Sequence, residues 1–271
     1  MKKTRLVIIL IIITMLALPV NAFANHEEGI VYTALGDSIA AGTGSANGDS
    51  YTDMFNEYLR KLYKDKVYND KVVYNNFASD GTTSGALVMD LTNPLDPDFY
   101  ATFNAVISSN VITISIGGND VLDYIEQFDP EIEYSEEDFN AIAYYIETNI
   151  VPQMFSNFTD IISAIKTTNP TAQIYVNNFY NPFVYDEELH NFAELFIPDI
   201  NTALKDGEIS LIYGRLYYVV DVYTAFDGYR NPKSLVNYDY SLETKDAYLH
   251  PRHKGYKVMT NVLKDLYEEN Q

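Results

Sequence analysis

Five stretches of the chain carry apolar and β-branched residues in runs or alternation, near residues 30–35, 71–77, 111–116, 172–179 and 216–222. Each has the length and composition of a strand buried in a sheet. Between them apolar positions recur at three- and four-residue spacing, as across residues 50–62, the period of a helix with one face turned inward. Strands alternating with helices predict a mostly parallel sheet, because each parallel pair needs a crossover and the crossover helices cover both faces. The expected fold class is α/β, a three-layer α/β/α sandwich on a mostly parallel five-stranded sheet. No repeat, low-complexity tract or Pro/Gly/Ser-rich linker interrupts residues 29–271, so one domain is expected.

A different pattern opens the chain. Lys2, Lys3 and Arg5 precede an apolar run from Leu6 to Val20, and Ala22-Phe23-Ala24 follows it. That is the n-region, h-region and A-x-A site of a secretory signal peptide over residues 1–24, leaving one domain over residues 25–271. The run is too short and wrongly flanked for a comfortable membrane span, so no stable span is expected after cleavage, an uncleaved anchor being the alternative. With no cysteine in the chain there is no lipobox, disulfide or thiolate metal site. A cysteine-free exported protein fits extracellular secretion from a Gram-positive bacterium. The formal net charge of −20 becomes more negative once the three basic leader residues are removed. Nucleic acids and anionic bilayers would repel such a protein, so neither is an expected partner, and a monomer is expected.

The first candidate for chemistry is Gly36-Asp37-Ser38-Ile39-Ala40-Ala41-Gly42, a serine on a glycine-flanked turn between a strand and a helix. Ligands of open α/β sheets sit at the carboxyl ends of the strands. The nearby glycines do not make a nucleotide site: Gly48 comes one position late for G-x-G-x-x-G, and no lysine follows as a P-loop requires. A serine hydroxyl is hardly ionised at neutral pH and needs a base. Among four histidines, His250 is the best candidate. His26 lies at the mature N-terminus, His190 sits in an acidic helical stretch with a surface role expected, and His253 is expected to start the last helix and face water.

Four segments together resemble the SGNH (GDSL-type) hydrolase family of serine esterases and lipases in order, spacing and surroundings. They are Gly36-Asp37-Ser38-Ile39, Asn76-Phe77-Ala78-Ser79-Asp80-Gly81-Thr82-Thr83, Gly117-Gly118-Asn119-Asp120, and His250-Pro251 followed by Gly255-Tyr256. The resemblance covers the chain from about residue 30 to its end. It implies a flavodoxin-like SGNH fold and hydrolysis of small-molecule esters by Ser38 with His250, without a cofactor or a metal. Lysophospholipid, short-chain carboxylic ester, thioester and O-acetylated sugar substrates all remain open; the negative charge favours soluble or weakly amphipathic ones. Ser38 N–H, Gly81 N–H and the Asn119 amide are the expected oxyanion donors, each able to contribute about 3–4 kcal/mol to an acyl-transfer transition state.

One position departs from the family pattern. The acid that orients the histidine usually stands three residues before it, where this chain has Ala247; Asp246 is one residue further away. A bulge that brings Asp246 to the imidazole, a backbone carbonyl near Ala247, or a distant aspartate could each orient the ring. Two rival readings follow: a non-catalytic surface or matrix-binding module that has lost its acid, and a metal-dependent hydrolase using Asp37, Asp120 and His250.

Residues 128–138 are acidic, which invites a calcium reading, but Ser135 with Asp138 has the spacing of a capping box opening a helix toward Lys166. In that insertion Ile125, Phe128, Ile132 and Tyr134 are expected to wall an acyl pocket.

Overall fold

The computed structural model describes residues 29–64, 72–125, 127–128, 134–210, 214–237 and 248–271. The expected leader (residues 1–24) and Asp246 lie outside the described residues. The strands are β1 (Ile30–Gly36), β2 (Val72–Asn76), β3 (Val111–Ser115), β4 (Gln173–Asn177), a short antiparallel pair β5 (Ile209–Ser210) and β6 (Gly214–Arg215), and β7 (Tyr218–Val220). Five of them form one parallel sheet in the order β2-β1-β3-β4-β7.

Every residue of β3 is buried, as a central strand covered on both faces requires. Its side chains alternate between two cores. Val111 joins a cluster with Tyr51, Phe55 and Leu59 of the helix Tyr51–Leu62 and Tyr256, Met259 and Leu263 of the helix His253–Glu269. Ile112 and Ile114 point the other way, against Leu87 and Leu91 of Ser84–Thr92, Val106 of Phe99–Ser108, and Phe158, Ile161 and Ile165 of Val151–Thr168. These two helical layers complete the α/β/α sandwich. Each fully buried Ile of this kind contributes about 1.5–3 kcal/mol of burial.

A third apolar cluster lies apart from the sheet cores. Ala143 of Glu136–Tyr145, Ile146 and Met154 meet Phe192 and Ala193 of Glu187–Ala193 and Ile197 and Ile200 of Ile197–Asp206. Ser135 and Asp138 form the expected capping box: Ser135 Oγ accepts from Asp138 N at 3.2 Å, and Asp138 Oδ2 accepts from Ser135 N at 2.9 Å. The helix they open does not run unbroken to Lys166. Ile146–Ile150 is a π-helical turn, after which Val151–Thr168 continues as α-helix. Pro152 explains the break, because it has no N–H for the carbonyl four residues back and the ladder widens to accommodate it.

The strand order fixes where ligands can bind. From β1 the chain crosses to β2 on one side and later to β3 on the other, so the crevice between the carboxyl ends of β1 and β3 is the topological switch point. Gly36 makes that junction possible: its φ is +131°, and a Cβ there would fall 1.9 Å from the Ser115 carbonyl oxygen. No helix among the described residues is long and apolar enough to cross a membrane.

Candidate active site

Ser38 opens a one-turn helix, Ser38–Ala41, immediately after β1. Asp37 caps this turn by accepting from Ile39 N at 3.0 Å, and Gly42 closes it in the left-handed conformation at φ 98°. The first N–H groups of such a turn have no intrahelical acceptor, so Ser38 N–H is oriented outward by the helix itself. Ser38 is 7% exposed and lines the pocket at the switch-point crevice.

From the other end of the chain comes His250, whose Nε2 stands 2.6 Å from Ser38 Oγ. Its Nδ1 is 3.0 Å from the carbonyl oxygen of Tyr248. The segment carrying it is tied down by Tyr180 and Asn237. Tyr180 donates its hydroxyl to the Leu249 carbonyl at 2.8 Å. Asn237 N donates to the His250 carbonyl at 2.9 Å, while Asn237 Nδ2 donates to the Gly44 carbonyl at 2.8 Å. Leu249 itself has φ 67°, a left-handed conformation that costs a non-glycine residue roughly 1–2 kcal/mol.

Asn119 stands in the helix Gly118–Ile125, which starts just beyond β3. Its Nδ2 donates to the Thr82 carbonyl at 2.8 Å, which uses one of the two amide N–H groups and links the β3 loop to the Gly81 loop. Beside it, Asp120 accepts from Ser84 N at 2.8 Å and from Ser84 Oγ at 2.5 Å, holding the start of the helix Ser84–Thr92. Ser38, Asn119 and His250 line one pocket with a cavity volume of about 170 Å³. Gly81 does not line it; it is exposed on the neighbouring loop. Glycine is required there by its φ of +77°, not by close approach, since a Cβ would meet nothing within 4 Å.

Burial pushes the Asp37 carboxyl from 3.8 up to about 7, against the opposing hydrogen bonds from Ile39 N and Ser115. The ligand atoms of Asp37, Asp120 and His250 do not converge. Among the described residues the one acidic or histidine set close enough to share an ion is Asp90, Asp96 and Asp98, away from Ser38 in sequence and not lining its pocket.

Three expectations need correction. Of the four residues expected to wall the pocket, Ile125 lines it and Ile132 lies outside the described residues. Phe128 and Tyr134 instead pack in an aromatic chain, with ring centroids 5.3 Å between Tyr124 and Phe128 and 5.9 Å between Phe128 and Tyr134. His190 and His253 do not simply face water. Both are half-buried, and the Nδ1 of each is covered with no hydrogen-bond partner among the described residues. The helix of His190 is drawn inward by Phe192 and Ala193, and that of His253 by Gly255, whose missing Cβ lets the Leu235 carbonyl approach within 2.3 Å of where it would stand.

Tyr180 and Asn237 escaped sequence reasoning. For Tyr180 the available signal was its position just past the carboxyl end of β4, where residues face the crevice; Asn237 had none.

The model of the GDSL-like lipase/acylhydrolase family matches residues 34–258. The spore germination lipase LipC of Bacillus licheniformis is 28% identical over 234 residues, spanning 86% of this chain and 94% of that protein. Among solved structures, the lipase Lip_vut3 from a goat rumen metagenome superposes with a TM-score of 0.63 at 25% identity, covering 87% of this chain and 96% of its own. An extracellular lipase of Streptomyces rimosus shares the fold, with a TM-score of 0.62 at 19% identity over 87% and 99% of the two chains. Since the matched span takes in the Ser38 turn, the Asn119 loop and His250, the chain belongs to the GDSL-like lipase/acylhydrolase family and is an ester hydrolase.

Proposed function

We propose that this ester hydrolase works through an acyl-enzyme on Ser38, with His250 as general base and acid. The observation that carries the reading is the 2.6 Å contact between Ser38 Oγ and His250 Nε2, made at the switch point by residues 212 apart in sequence. An Nδ1–H donated to the Tyr248 carbonyl would leave Nε2 as the acceptor for the serine proton. Ser38 Oγ then bonds to the ester carbonyl carbon while its proton passes to His250 Nε2. Collapse of the tetrahedral intermediate breaks the bond to the alcohol oxygen, which takes that proton. Water, deprotonated by His250, repeats the sequence on the acyl-enzyme and releases the carboxylic acid. The oxyanion is held by Ser38 N–H and by the Asn119 amide, which the Thr82 carbonyl of the Gly81 loop keeps in place. Asp246 assists the imidazole without being its sole acceptor. Against a non-catalytic relic stands the ordered Ser38–His250 contact, which a binding module has no reason to retain.

The protein acts as a secreted monomer on small-molecule esters, its leader removed on export. A hydrolysis assay on p-nitrophenyl esters, run with and without EDTA, tests the catalytic reading. Activity that is insensitive to EDTA and lost in Ser38→Ala, with the melting temperature nearly unchanged, is the expected result. Retained turnover in Ser38→Ala would contradict it.

A further inference from the structure

We propose that the pocket beside Ser38 is an acyl-chain site that selects medium-length acyl groups, of roughly six to eight carbons, over acetyl groups. The inference rests on Ser38 being the nucleophile and specifies which half of the ester enters the cavity.

Away from Ser38 and His250 the lining turns apolar. Val121, Leu122 and Ile125 of Gly118–Ile125 form one side, and Phe192, Phe196 and Ile200 form another. The second wall belongs to the third apolar cluster, so it is backed by the buried side chains of Ala143, Ile146 and Met154. Specific hydrogen bonds set its position. Asn201 Oδ1 accepts from Phe179 N at 2.9 Å and Asn201 Nδ2 donates to the Phe179 carbonyl at 2.8 Å, fastening the helix Ile197–Asp206 to the end of β4. Asn181 Nδ2 donates to Glu194 Oε1 at 2.7 Å and Tyr223 to Glu194 Oε2 at 2.6 Å, fixing the end of the preceding helix. A wall held in this way keeps its shape without ligand, which reduces the ordering cost of binding.

Size and polarity then define the guest. The cavity measures about 170 Å³. A dry cavity of about 150 Å³ lined by Leu, Ile and Phe holds a benzene-sized molecule, which sets the capacity near six carbons, with two or so more at the open mouth. No lysine or arginine lines it, and its one carboxylate, Asp37, is engaged with Ile39 N. A charged acyl group would lose water there and find no cationic side chain to pair with. An acetyl group would leave most of the apolar wall unfilled.

The test is kcat/KM for p-nitrophenyl acetate, butyrate, hexanoate, octanoate and laurate, all below their aggregation limits. Each methylene that enters the pocket raises kcat/KM about three- to fourfold, with no further rise beyond about eight carbons. Val121→Phe, at a half-buried position, should lower the octanoate-to-acetate ratio at least tenfold. Phe183 also lines the pocket, so Phe183→Ala should move the optimum to longer chains and decides the matter if Val121→Phe does not fold. A flat profile or an acetate optimum, in a protein whose Ser38 is labelled by a fluorophosphonate, overturns this inference and leaves the catalytic reading standing. No turnover of any ester and no labelling of Ser38 overturns both.

Discussion

Tyr180 donates its hydroxyl to the carbonyl of Leu249 at 2.8 Å, and thereby fixes the strained residue that immediately precedes His250. The imidazole is aimed at Ser38 by its backbone as much as by any side chain. Tyr180→Phe removes this bond and keeps the ring. We expect kcat to fall roughly tenfold with little change in KM, and stability to fall by about 1 kcal/mol. Steady-state kinetics checks this, and an effect confined to KM would make Tyr180 a substrate-binding residue instead.

Asn119→Ala should cut kcat about 100- to 1,000-fold with a much smaller change in KM, because an oxyanion donor matters most once charge develops. Asn119 also donates to the Thr82 carbonyl, so its loss loosens the Gly81 loop as well. Asn119→Asp is expected to be at least as damaging, since a carboxylate neither donates nor tolerates an adjacent oxyanion. A loss in KM alone for either variant would refute the assignment.

His250→Ala should inactivate the protein almost completely, whereas Asp246→Asn should cost only about 10- to 100-fold, because the Tyr248 carbonyl 3.0 Å from Nδ1 shares the orienting task. Equal losses in the two variants would establish Asp246 as the full third member of a triad.

The raised pKa of Asp37 has a stability consequence with a definite sign. With its carboxyl pushed up to about 7 by burial, the folded chain holds this proton more tightly than the unfolded chain does. The resulting stabilisation is complete below about pH 4 and is lost as pH rises through 7; a three-unit shift corresponds to about 4 kcal/mol as an upper figure. Asp37→Asn keeps an acceptor for Ile39 N and removes the charge. Urea unfolding should therefore show it stabilised relative to wild type more at pH 8 than at pH 4, and an equal effect at both would contradict the shift.

Much of this was readable from residues alone. The runs at β1, β3 and β4 announced themselves because strands buried on both faces need continuous apolar sequence, and Ser38 and Asn119 stood out as polar residues at their ends. The β5–β6 pair did not: two residues per strand leave no period to detect. The π-helical turn was hidden because its cause, Pro152, acts on hydrogen bonding and not on apolar spacing. Tyr180 carried only a positional signal and Asn237 none, and their roles were hidden for another reason. Their partners, Leu249 and Gly44, lie 69 and 193 positions away, and only the folded sheet brings them together.

The most direct test of the central claim is covalent. Wild-type protein treated with a fluorophosphonate should gain a single adduct, located by peptide mass on Ser38, as ester hydrolysis disappears in parallel. Ser38→Ala should gain none, and His250→Ala should react far more slowly because the hydroxyl has lost its base. An adduct on another residue, or an unlabelled wild type that still hydrolyses esters, would contradict the assignment of Ser38 as the nucleophile.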